Sequence, residues 1–517
     1  MKRAPGWRML WSLCSTWLFC AAGGLEAQEP RPPVPQVGQL VKELESPSSS
    51  VRLAAAALLG DLAEATRARR FRDREEVDLT QLREVAGPAL AQLLEDPDPA
   101  VRRMAVLSLG KVRAEGKVAA AAWMRALQDS DRIVRQSVPD ALQAYYTRGP
   151  EIGGPLSSPE QLVPAEHFFE DLIASAEVLR KCLAGSDEKS VLRTLQAMEA
   201  LLDTVEKTPE LEGRNIDPLV ITEAVTEPLR KALVQSAQVL AGLLPMVVQV
   251  IQQPPTENQR QAALVLEKIA QLCDPRPELL ERREGGPRVR GRMMRRDFGA
   301  EGAEALATMK AALKSATAGI IPIVGHPPIC VQLAVLDTLE ALGPTASAAV
   351  PEVRKLLRNH DRFVRWAAAR TLSAIGPIDD NLPTVLGLAE LVRDEDLDVA
   401  SSACQFLGDV FAKEAGPAVP ALSCAAMSEE RELQYAAVLA LADVVRAIKA
   451  EAGEAVPGLI VALQSSDLKT RQAVPPILGE LRAAARPALP ALQKALDDEN
   501  LEVRLEAAKA ILRIMNP

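Results

Sequence analysis

The 517-residue sequence predicts an all-α superhelix, a solenoid of stacked helix pairs. Three observations predict it. The chain exceeds the size at which one hydrophobic core stops growing, roughly 250–300 residues, so it must divide into domains or into repeats that pack only on their neighbours. It is 48% hydrophobic but only 3% aromatic. Its apolar mass is therefore Ala, Leu and Val, which suits closely packed helices; strands lean on β-branched and aromatic residues. Finally, three segments align in register: PALAQLLEDPDPAVRRMAVLSLGKV from Pro88, PEVRKLLRNHDRFVRWAAARTLSAIG from Pro351 and PALQKALDDENLEVRLEAAKAILRI from Pro490. Self-similarity of this kind marks a stack of equivalent units.

Within each unit a proline opens the first helix, where its missing N–H would be unpaired in any case. An acidic turn follows, and Val-Arg begins a second helix. The proline-to-arginine separation is 14 at Pro88–Arg102, Pro351–Arg365, Pro457–Arg471 and Pro490–Arg504, and Pro420–Gln434 repeats it. Asp98 before Pro99 is an expected N-cap, and Asp131, Asp361, Asp396 and Asp467 hold the same slot. In the second helix Val101, Ala105 and Leu109 fall at i, i+4 and i+8, one apolar face that is stable only when the next pair covers it.

Along the chain, residues 1–27 read as a signal peptide: basic Lys2, Arg3 and Arg8, an uncharged apolar stretch Met9–Ala22, then small residues up to Ala27. A bilayer span needs about 20 apolar residues. This stretch is shorter, so export is expected, with a retained membrane anchor as the alternative. Residues 28–38 form a Pro-rich leader. Repeats occupy 39–148, a Gly- and Pro-bearing linker 149–165, and a helical region with degenerate repeats 166–275. An Arg-rich loop follows at 276–300, then repeats again over 301–517. No later segment reads as a membrane span. The five cysteines outside the leader are widely spaced, and buried small hydrophobes are the expected role.

The Asp-x-x-Val-Arg box, complete at Asp98–Arg102, Asp131–Arg135 and Asp361–Arg365, resembles that of the HEAT repeat family, in particular the short bacterial repeats also found in phycobilisome lyases. The resemblance implies a superhelix whose second helices line a concave face that holds other molecules. Arginine is missing at Gln332, Ala400 and Gln434, where the resemblance implies that a rung of the arginine–aspartate ladder is lost. Deoxyhypusine hydroxylase is also built on HEAT repeats, but its His-Glu iron ligands are absent, since no histidine here precedes a glutamate.

Catalytic chemistry is not expected. The chain has three histidines and no His-Glu-x-x-His, Cys-x-x-Cys, Gly-x-Ser-x-Gly, Walker or dinucleotide motif. His167 with Glu166, Glu170 and Asp171 is the one cluster with metal-ligand character, but no second copy exists in the chain, and a solvated helix start, not a metal site, is expected. The net charge of −9 argues against broad nucleic-acid binding. The eight arginines between 276 and 296 read as a solvated loop, or as a contact for an acidic partner. No cofactor is expected; a protein or peptide partner is. A cofactor-handling, lyase-like role is the alternative reading.

Candidate partner-binding residues come from one register slot. Trp366 directly follows the ladder position, Tyr435 holds the same slot two repeats later, and Arg103 holds it in the Pro88 repeat. Arg370 lies one turn after Trp366. Trp, Tyr and Arg dominate binding hot spots, while packing between repeats is the competing role for the two rings. The leader reading is tested by N-terminal sequencing of the exported protein, which should begin between about residues 22 and 28; membrane-bound material retaining Met1 would favour the anchor.

Overall fold

A computed structural model describes residues 37–68, 79, 82–147, 163–207, 223–273, 299–325 and 328–515. The expected signal peptide, residues 28–36 of the Pro-rich leader, residues 149–162 of the expected linker and residues 276–298 of the expected Arg-rich loop lie outside them. The described residues form helices joined by turns, with no strand among them. They form two layers. The second helices of the pairs make one layer: Ser49–Ala68, Pro99–Val112, Arg132–Tyr146, Glu188–Lys207, Thr256–Cys273, Ile329–Leu342, Arg362–Ile375, Leu397–Asp409, Arg431–Ile448, Leu468–Glu480 and Leu501–Met515. Each packs on the next in chain order. The stack therefore runs unbroken through the degenerate central region and past the expected linker.

First helices are short where the repeat is most regular. Gly87–Gln92, Val350–Lys355, Val419–Ala425, Val456–Ala462 and Leu489–Ala495 are six or seven residues long, each with proline in its first turn as expected. Val101, Ala105, Leu109, Val364 and Ala368 are fully buried. Gly110 and Gly408 show how closely second helices approach. A Cβ on Gly110 would stand 2.2 Å from the Ala141 carbonyl oxygen, and one on Gly408 would stand 2.7 Å from Ala440 Cα.

The acidic turn is a hydrogen-bonded device. Asp361 caps its helix by accepting from the Phe363 and Val364 N–H groups at 2.9 and 3.2 Å, and Asp98 accepts from Ala100 at 2.9 Å. Two residues before the cap, Asp129 and Asp394 accept the N–H of the cap residues Asp131 and Asp396 at 2.8 and 2.9 Å. The ladder arginine ties these turns together. Arg102 donates to the Asp96 carbonyl of its own turn at 2.8 Å and forks onto Asp129 of the next turn at 2.7 and 2.8 Å. Arg365 does the same with the Asn359 carbonyl and Asp394. Hydrogen bonding to Arg102 holds the Asp129 carboxyl below its usual range despite the opposing effect of burial.

Where arginine is missing the outcomes differ. Ala400 is buried and has no side chain with which to tie. Gln434, expected to leave a gap, instead forms a neutral rung. Its Nε2 donates to the Ala426 carbonyl at 3.2 Å, and its Oε1 accepts at 2.6 Å from Ser465 Oγ, which occupies the aspartate position of the next turn. Gln332 donates back to Val324 within its own turn at 2.9 Å.

Three further expectations are corrected. Cys182, Cys273 and Cys404 are buried, but Cys330, at the start of Ile329–Leu342, and Cys424, at the end of Val419–Ala425, are exposed. The segment Val234–Ile251 is long and apolar enough by composition to cross a membrane; 44% of it is buried, and its helix packs on Gly299–Ile320. Apolar stretches Ile329–Arg358 also pass that test, though Gly343 breaks them into separate helices. Asp171, expected in a solvated helix start, is buried. It pairs with Arg83 at 3.0 Å and accepts the Gly116 N–H at 2.9 Å, binding the helix after the linker to the repeats before it.

Replacing Arg102 by Lys keeps the charge and loses the fork. Loss of a charge-assisted, poorly solvated bond costs about 2 kcal/mol. Amide exchange in the turns at 96–102 and 129–135 should then accelerate at least tenfold, while Arg103→Lys leaves it unchanged. Equal exchange in the two variants would refute the tie.

Candidate partner-binding groove

Three consecutive second helices, Arg362–Ile375, Leu397–Asp409 and Arg431–Ile448, pack side by side, and their outer faces enclose a groove of about 860 Å³. Side chains reach it at helical spacing: Phe363 and Trp366 from the first helix, Asp398, Ser402 and Gln405 from the second, Glu432, Tyr435 and Leu439 from the third. The register puts them there. Val364 and Ala368, Ala403 and Leu407, and Val438 and Leu441 turn inward as each helix buries its apolar stripe, so residues on the other side of each helix face the groove.

The sequence-predicted residues separate into three situations. Trp366 and Tyr435 line the same groove, each half-buried. Trp366 is held on two sides: its Nε1 donates to Ser402 Oγ at 3.2 Å, and the Arg370 guanidinium lies over its ring at 4.4 Å from the centroid. Arg370 is therefore joined to Trp366 but does not itself line the groove. It reaches the preceding repeat, pairing with Asp337 and, at 2.5 Å, with Glu340. Arg103 is exposed in the N-terminal repeats and shares no site with the others. The ring of Trp366 also packs against the core, which is the competing role weighed for it in the sequence.

The groove is acidic. Asp396, Asp398, Asp409, Glu432 and Asp443 line it against a single guanidinium, Arg362. Arg362 pairs with Asp396 at 2.5 Å and lies over the exposed Phe363 ring at 4.6 Å. That pairing holds the Asp396 carboxyl below its usual range. Asp398, Asp409, Glu432 and Asp443 were not picked out from sequence. The signal was available: Asp398 and Asp409, and Glu432 and Asp443, each stand 11 residues apart, about three turns on one helix face, but reading them required knowing that three repeats share one surface.

Behind Trp366 the ionic surface continues. Glu267 on Thr256–Cys273 faces Asp337, Glu340 and Arg370. Burial first, and then repulsion from Asp337 and Glu340, push its carboxyl up to about 7. Burial likewise raises Asp337. Among the described residues no group of three or more His, Cys, Asp or Glu has the arrangement of a metal site. The side chain of His167 lies outside the described residues, as does the run of arginines after Cys273.

A family model described as HEAT repeats matches residues 37–143 and 317–390, and another described as HEAT repeat matches residues 488–516. No curated protein matches the chain. Among solved structures it is similar to Kap121p bound to Nup53p, at 14% identity and a TM-score of 0.41, over 92% of this chain and 45% of that one. It is also similar to UNC-45 from Drosophila melanogaster, at 13% identity and a TM-score of 0.36, over 93% of this chain and 62% of that one. A designed armadillo repeat protein aligns at 16% identity and a TM-score of 0.32, over 60% of this chain and 100% of that one. The chain thus spans 45% of Kap121p and 62% of UNC-45.

The raised Glu267 carboxyl carries a definite pH sign. The folded chain holds this proton more tightly than the unfolded chain, so ionisation of Glu267 costs nothing below its ordinary value of 4.5. It becomes destabilising as pH rises towards about 7 and stays so above it. Glu267→Gln removes that cost. The variant should melt higher than the parent at pH 8 and within error of it at pH 4. An equal difference at the two pH values would show that Glu267 is not the titrating group.

Proposed function

We propose that the chain, which belongs to the HEAT-repeat family, is an exported scaffold that holds a protein or peptide partner and does no catalysis. The observation that carries this reading is the groove. Three repeats build one continuous concavity that contains Trp366, fixed by Ser402 and Arg370, and Tyr435. Rigid aromatic side chains in a partly desolvated groove give large contact area at low cost in conformational entropy, which is the composition of a binding hot spot. The basic and apolar start of the chain supports export, and the missing catalytic motifs support a holding role.

Tyr435→Ala carries the test, because Trp366 also packs against the core and its loss should cost stability as well as binding. With a partner recovered by affinity capture from the envelope fraction and then purified, Tyr435→Ala should weaken its binding by at least about 1 kcal/mol, near fivefold, with little change in melting temperature. Unchanged affinity would remove the groove from the interface. A pigment or metal recovered in place of a protein would favour the lyase-like alternative.

A further inference from the structure

The charge and the rings of the groove narrow the partner's chemistry, given the scaffold reading above. We infer that the groove takes an extended peptide segment rich in Lys and Arg. Five carboxylates and one guanidinium line the groove; that guanidinium is already committed to Asp396, and Asp443 is paired with Arg446 at 2.6 Å. Asp398 and Glu432 have no basic partner within ion-pair distance among the described residues. An acidic or phosphorylated segment would add like charge to this surface, whereas a cationic one neutralises it.

The rings point the same way. Phe363, Trp366 and Tyr435 stand among the carboxylates, and a cation between a carboxylate and an aromatic face gains from each. The molecule already uses this pairing twice at the edge of the groove, in Arg362 over Phe363 and Arg370 over Trp366. Dimensions favour an extended segment over a folded surface. Three packed helices set two interaxial spacings of 8–10 Å, roughly 16–20 Å in all. That length matches about five or six residues of extended chain. An extended chain also presents alternate side chains to one face, so basic residues at every second position would meet the successive acidic rows from Asp398 and Glu432.

The test uses the full chain and two fluorescein-labelled eight-residue peptides, one alternating Lys and Ser, the other Glu and Ser, followed by anisotropy. The Lys peptide should bind and the Glu peptide should not. Asp398→Asn combined with Glu432→Gln should weaken the Lys peptide roughly tenfold. Glu45→Gln combined with Glu115→Gln removes the same charge from exposed sites elsewhere and should change it less than twofold. Failure of the Lys peptide to bind, equal binding of the two peptides, or equal losses in the two double variants would overturn the inference. The scaffold reading fails separately, through Tyr435→Ala and a purified partner. A partner that loses affinity with Tyr435→Ala but not with Asp398→Asn/Glu432→Gln would keep the scaffold and exclude a basic ligand.

Discussion

Every helix pair in this chain leaves an apolar face that only the next pair can cover, and the acidic turn fixes how the next pair arrives. A short first helix of six or seven residues cannot hold its own direction in water. It is held because the turn after it is knotted: one carboxylate caps the second helix, another ties down the cap residue, and an arginine binds the carbonyls of its own turn while gripping the carboxylate of the following one. Local capping and inter-repeat contact are thus made by the same few atoms. The close approach at Gly110 and Gly408 follows, since helices set this near one another have no room for a Cβ.

Much of this was legible in the sequence, for physical reasons. Proline at a helix start, aspartate at an N-cap and apolar residues at four-residue spacing are local requirements, and Pro88, Asp98 and Val101–Leu109 meet them within a few residues of one another. The partners of Arg102 and Arg365 were harder to place, because the carboxylates they grip lie 27 and 29 residues further on. Gln434 was misread for the same reason. A neutral side chain counts as a gap until Ser465 is known to stand opposite. Exposure of Cys330 and Cys424 depended on their places at helix ends, which wide cysteine spacing does not reveal.

For the groove, sequence reasoning found the rings and missed their setting. Trp366 and Tyr435 were found as occupants of one register slot, a property of the repeat. That slot did not bring in Arg103, because equivalent positions in distant repeats share a direction without sharing a surface. Arg370 was placed correctly beside Trp366 by helix spacing, yet its carboxylate partners Asp337 and Glu340 come from the preceding repeat. They turn it into a brace behind the ring. The acidic lining arises only when three helices are laid side by side, so no single segment announces it.

The rungs beneath the groove are unequal, and this has a mechanical consequence. Arg365 locks its joint ionically to Asp394, Ala400 contributes no tie to the next, and Gln434 closes the one after with neutral bonds to Ser465. Elsewhere the joints at Arg52, Arg102 and Arg471 are ionic. Under the groove floor, Leu397–Asp409 and Arg431–Ile448 are held together by direct helix packing, closest at Gly408 and Ala440, with no tie from the ladder position. The width of the groove is therefore tied to the curvature of the whole superhelix. A molecule seated in the groove would touch all three helices at once and act as a splint across two joints.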